Sequence, residues 1–101
     1  MRALRIHAAA SAEAAAAAAW YDQQRPGLGA DFLRAVDAAL DMLEQEVVPL
    51  TATGERGIKR MILRRFPFAI VVCEREDEMF VVAFAHQARR PGYWRNRLQE
   101  R

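Results

Sequence analysis

The sequence predicts an α+β domain of order β-α-α-β-β-β, with an N-terminal helical hairpin packed on a small antiparallel sheet. Three observations carry this expectation. Residues 12–24 form an alanine-rich run with no strand-like alternation. From Asp31 onward, Phe32, Val36, Ala39, Leu40, Leu43 and Val47 recur at i, i+4, i+7, i+8, i+11 and i+15, a continuous helical stripe. Residues 58–86 then hold three short segments rich in β-branched and aromatic residues, separated by turn residues.

Each element has a local reason. "RALRIHA" at residues 2–8 is short and roughly alternating, so it reads as a first strand. Ser11 is the expected N-cap of the first helix, with Glu13 in its first turn favouring the helix dipole. The alanine face of that helix allows close approach of a neighbour. "RPGLG" at 25–29 ends it, since Pro and Gly cannot continue a helix. The second helix stops before Pro49, and "LTATGERG" is a polar loop.

The strands are expected over 58–66, 68–75 and 79–86, with "REDE" at 75–78 as a hairpin turn. Phe68, Ile70 and Val72 should share one face, as should Phe80, Val82, Phe84 and His86. Val71, Val81, Ala83 and Ala85 are apolar too, so both sheet faces should be covered. Pro67 belongs at a bend, where its missing N–H does no harm.

A chain of 101 residues, 52% apolar, is expected to make one domain over 1–101 with a core that needs neither metal nor disulfide. The single cysteine, Cys73, lies in an apolar run and fits a reducing, cytoplasmic setting. The N-terminus has a basic start and small apolar residues, as a secretory signal would. His7 and Glu13 interrupt it, and the run leads straight into a helix, so neither export nor a membrane anchor is expected.

Charge is polarised along the chain. Residues 1–50 carry a net −3 and residues 51–101 a net +5, and fourteen of the fifteen basic residues are Arg. Arg offers planar, permanently charged donors suited to phosphate or carboxylate. One basic cluster holds Arg56, Lys59, Arg60, Arg64 and Arg65, the other Arg89, Arg90, Arg95, Arg97 and Arg101. If antiparallel strands bring them together, they form a positive patch interleaved with Tyr93 and Trp94, a footprint for phosphate and base stacking. The alternative is a solvated strand edge guarded by charge. Tyr93 and Trp94 could equally be apolar plugs. His86 can trade protons near neutral pH or simply cap its strand. No Cys/His metal pattern, phosphate-binding loop or nucleophile elbow is present, so no cofactor and no metal is expected.

Three stretches, "RPGLGADFLRAVDAAL", "LRRFPFAIVV" and "AHQARRPGYWRNR", together resemble the RelE/ParE family of toxins from bacterial type II toxin–antitoxin modules over nearly the full length. The resemblance implies a RelE/ParE-like fold and a cognate antitoxin as partner. It also implies one of two activities. RelE-like members cut mRNA on the ribosome, which would make His86, Arg89 and Tyr93 catalytic. ParE-like members inhibit DNA gyrase, which would leave Arg60, Arg64, Arg65, Arg90, Trp94, Arg95 and Arg97 as target-binding residues. Ala69 and Gln87 stand where the cutting enzymes tend to carry Arg, so the ParE-like expectation leads and the mRNA endonuclease is its rival.

Overall fold

The computed structural model describes residues 3–46, 50–53 and 57–99. Along the chain run β1 (Ala3–Ile6), α1 (Ala8–Gln24), α2 (Leu28–Glu44), β2 (Thr51–Ala52), β3 (Ile58–Ile62), β4 (Phe68–Glu74) and β5 (Glu78–His86), followed by a 3-10 turn over Arg95–Gln99. The expected α+β class and its helical hairpin are present. The strands make one sheet in the order β1-β5-β4-β3-β2. It is mixed rather than wholly antiparallel, because β1 lies parallel to β5, with Leu4 opposite Met79 and Ile6 opposite Val81. That pairing joins the two most distant strands, and it forms because the helical pair carries the chain across one face of the sheet.

Several boundaries move for identifiable reasons. The first helix begins at Ala8, with His7 as its N-cap accepting a hydrogen bond from the Ala9 amide; Ser11 and Glu13 therefore lie inside the helix and not at its start. α2 begins at Leu28 behind Gly27, three residues earlier than expected. The strand expected over 58–66 ends at Ile62, and residues 63–67 form a bend containing Pro67, closed by the Leu63 amide on the Phe68 carbonyl. Thr51–Ala52, read as loop, pairs with Lys59 and Arg60. The expected Val47 of the helical stripe and the stop at Pro49 lie outside the described residues.

The helices cover one face of the sheet. Ala10, Ala14, Ala18 and Tyr21 of α1, with Phe32, Val36, Ala39 and Leu43 of α2, pack on Phe68, Ile70, Val72, Met79, Val81 and Phe84. Tyr21, Phe32, Phe66 and Phe68 form an aromatic cluster in which Phe32 lies 5.1 Å from both other phenylalanines. The opposite face holds Ile58, Val71, Phe80, Val82, Ala83 and Trp94. A bulge decides which side chain goes where. The register shifts between Val71 and Val72, so Val82 has no residue opposite it. Phe80 and Val82 stay on the far face while Phe84 turns to the helices, which breaks the expected series Phe80, Val82, Phe84. Among the described residues no helix is long and apolar enough to cross a membrane.

The hairpin depends on two neighbouring glycines for different reasons. Gly27 has φ 89° with open space around its α-carbon, whereas a β-carbon on Gly29 would lie 2.3 Å from the Ala18 carbonyl oxygen. The Gly29 amide also donates to Asp22 Oδ1 at 2.7 Å. Gly27→Ala should cost about 1–2 kcal/mol from backbone strain alone. Gly29→Ala should cost about 3 kcal/mol or more, because backbone must move. Denaturant midpoints of the two variants check the order.

Candidate functional site

The far face of the sheet is only partly covered. Its floor beside β3 consists of the small side chains Ala69, Val71 and Ala85, and the segment after β5 folds back over it. The result is an open cleft of about 340 Å³, walled by Arg60, His86, Arg89, Arg90, Tyr93, Trp94 and Arg95, with Thr53 and Gln87 at its rim. Among the described residues its lining contains four arginines and no acidic residue. The two basic clusters thus meet, but only in part. Arg60, paired opposite Val71 on β3, joins Arg89, Arg90 and Arg95. Arg64 and Arg65 sit exposed in the 63–67 bend away from the cleft, Arg65 lying 5.5 Å from the Phe66 ring. Arg56 and Arg101 lie outside the described residues.

Arg97 is not on the cleft wall. Its guanidinium grips Glu13 of α1 with both arms, Nη1 to Oε1 at 2.9 Å and Nη2 to Oε2 at 3.0 Å, and Nη1 also donates to the Val82 carbonyl at 3.1 Å. Glu13 accepts two more bonds, from the Phe84 amide at 3.1 Å and from the Tyr93 hydroxyl at 2.6 Å. Only 15% of the Glu13 side chain and 14% of the Arg97 side chain remain exposed. The pair closes the stretch of β5 past the end of β1, where the His7 amide makes the last backbone bond, to Val81. Sequence reasoning missed this use of Glu13. The available signal was that it is the sole charged residue in the run 8–19.

Trp94 is the most buried member of the segment, 6% exposed and packed among Ile58, Val71 and Phe80. It is a plug that also forms part of the cleft wall. Arg89 stacks on the Tyr93 ring at 3.8 Å and is 55% exposed, with Nη1 4.0 Å from Glu13 Oε2. His86 stands edge-on to Phe68, 5.0 Å between centroids, and its Nδ1 accepts the Ala88 amide at 2.9 Å, which directs Nε2 away from that bond. Burial, then the hydrogen bond to Glu13 and the charge of that carboxylate, push the Tyr93 phenol far above its ordinary range, against the opposing pull of Arg89 and Arg97. Tyr93 therefore stays protonated at neutral pH and donates. Among the described residues no three His, Cys, Asp or Glu side chains converge on a metal position.

One solved structure, "Chromosomal ParDE TA system from P. aeruginosa", superposes with a TM-score of 0.76 at 17% identity, over 85% of this chain and 96% of that chain. The chain has the fold of that structure. No family model matches the sequence, and no curated protein matches it. The α+β architecture expected from the RelE/ParE resemblance is therefore the one observed.

Two outcomes follow from this geometry. Trp94→Ala should destabilise by about 3–5 kcal/mol, as a truncated core aromatic does, whereas reversing charge at Arg89 and Arg90 should change stability by about 0–1 kcal/mol. Chemical denaturation of both variants checks this contrast. A phenol whose pKa is raised on folding contributes its full stabilisation below the unfolded value of about 10 and loses it as pH rises through the folded value. Tyr21, raised by burial, and Tyr93 both behave this way. Ultraviolet titration should show both tyrosines of the chain ionising later than free tyrosine, with stability falling above pH 10.

Proposed function

We propose that the chain is the toxin half of a type II toxin–antitoxin module, ParE-like in action, and that it inhibits an essential cellular machine through the basic cleft. DNA gyrase is the favoured target. A cognate antitoxin neutralises it by laying an acidic, partly apolar C-terminal segment across the sheet and the cleft. The observation that carries this reading is the cleft itself: four arginines and an aromatic wall around a small-residue floor, with no acid among the described residues of its lining. Such a surface attracts an acidic partner at a salt-dependent rate and holds it by buried apolar anchors. The likeness to a chain from a ParDE system supports the same class.

The cleft favours binding over bond cleavage. Tyr93, the side chain that resembles the terminal Tyr of the cutting enzymes, is a donor held on Glu13 at 2.6 Å and stays protonated at neutral pH, so it is not present as the phenolate that a general base requires. Ala69 occupies the floor where those enzymes tend to carry Arg, and Gln87 the rim. The mRNA endonuclease remains the rival on one observation, that His86 and Arg89 line the same cleft.

Expression without the antitoxin, with translation and DNA supercoiling followed separately, tests the two. The gyrase reading expects supercoiling to change before translation stops. His86→Ala should then remain toxic, and reversal of Arg89 and Arg90 should abolish toxicity. Early translation arrest that is lost in His86→Ala, with a fall of about 10²- to 10⁴-fold in cleavage rate, would establish the nuclease instead. A stable antitoxin complex that leaves the cleft open and contacts only the acidic outer face of residues 37–46 would refute the proposed neutralising surface.

A further inference from the structure

We infer that Glu13, a side chain of α1 outside the cleft, is the positioning residue of the cleft's basic wall: it holds Tyr93 and Arg97, and through the Tyr93 ring it sets Arg89. This deepens the proposed function and rests on it only for its consequence in toxicity.

The segment that supplies the wall has little regular structure of its own. Between β5 and the 3-10 turn the Gln87 amide reaches the Pro67 carbonyl at 2.8 Å, and past that tether the backbone bonds are single turns, Arg89 to His86, Tyr93 to Arg90 and Arg95 to Gly92. Past Gln87 the Trp94 plug and the Glu13 carboxylate fix it to the body of the fold. The carboxylate also divides the arginines. Arg97 occupies both of its oxygens in a fork, so most of its charge is matched there. Arg89 stands 4.0 Å away, beyond hydrogen-bond reach, and takes its orientation from the ring beneath it. It is thus aimed by Glu13 without a hydrogen bond to it, which leaves its donors for an anionic partner. Since Glu13 belongs to α1 and its partners lie 71 to 84 residues away, the wall is built only when α1 is docked on the sheet.

The test uses the full chain and the Glu13→Gln variant, which keeps the side-chain size and an acceptor for the Phe84 amide but removes the charge. The readout is the Arg89 Nε–Hε resonance, which stacking on the Tyr93 ring should displace upfield in the parent. With it goes amide exchange in residues 88–97 against residues 68–74 in the centre of the sheet. In Glu13→Gln the Arg89 signal should move to the position of an unstacked arginine. Exchange in 88–97 should rise by about tenfold or more while 68–74 stays protected. An unmoved Arg89 signal overturns the inference, and so does exchange that rises equally in both segments, which would mark a purely structural role. Should Glu13→Gln fail to fold, Tyr93→Phe severs the hydroxyl link alone and leaves the Arg97 fork; loss of the ring-current displacement then supports the inference and its retention overturns it. The toxicity of Glu13→Gln should fall with the Arg89 displacement. A parent chain without toxicity refutes the proposed function while the resonance result stands, and a toxic parent whose Arg89 signal ignores Glu13 refutes the positioning role alone.

Discussion

The carboxylate of Glu13, bound to Arg97, Tyr93 and the Phe84 amide, is the constraint on which the rest of the molecule depends. β5 is the longest strand, yet β1 pairs with it only as far as Val81. Beyond that point its outer edge would present unpaired backbone groups, a template for association with another chain. A side-chain pair does the work of the missing strand, with Glu13 accepting from the Phe84 amide and Arg97 donating to the Val82 carbonyl. Removing two charges from water is costly, and the arrangement persists because each charge is met by several short bonds. The Val82 bulge sits in this same stretch of strand, where the Val82 carbonyl and Phe84 amide meet the pair.

The same contact ties three layers together. The helical hairpin lies on one face of the sheet and the segment after β5 lies on the other, and Glu13 reaches past the strand edge to join them. The two faces are built differently. Toward the helices, alanines in α1 allow close packing while Tyr21, Phe32, Phe66 and Phe68 fill the volume. On the far face Trp94 covers the part around Phe80 and Val82, and the small residues Ala69 and Ala85 leave a hollow beside it. The cleft is therefore a consequence of side-chain size, small residues next to one large plug.

Arginines with equal chemistry are divided by their carboxylate neighbours. Arg5 and Arg75 both meet Glu78, which they hold below the usual carboxylate range, and both lie over the Phe80 ring. Arg97 meets Glu13. These three brace the sheet. Arg60, Arg89, Arg90 and Arg95 converge on one cleft, where their fields add.

The sequence by itself determined the α+β class, the helical hairpin and the three main strands, because the stripe from Phe32 to Leu43 and the apolar runs after residue 58 are periodic signals that short-range sterics enforce. It also identified Arg60, His86, Arg89, Arg90, Tyr93, Trp94 and Arg95 as candidates, and all of them line one cleft. Tertiary structure alone decided the parallel pairing of β1 with β5, since partners more than seventy residues apart leave no local trace. It set the Val82 bulge, which turned Phe84 toward the helices against the strict alternation. It moved Arg64 and Arg65 off the site, because β3 ends at Ile62. It also gave Glu13 and Arg97 to each other, 84 residues apart, where sequence reading placed one at a helix terminus and the other on a binding surface. Spacing reveals which face a residue shares with its neighbours, but a charge's partner depends on which elements meet across the fold, and only packing settles that.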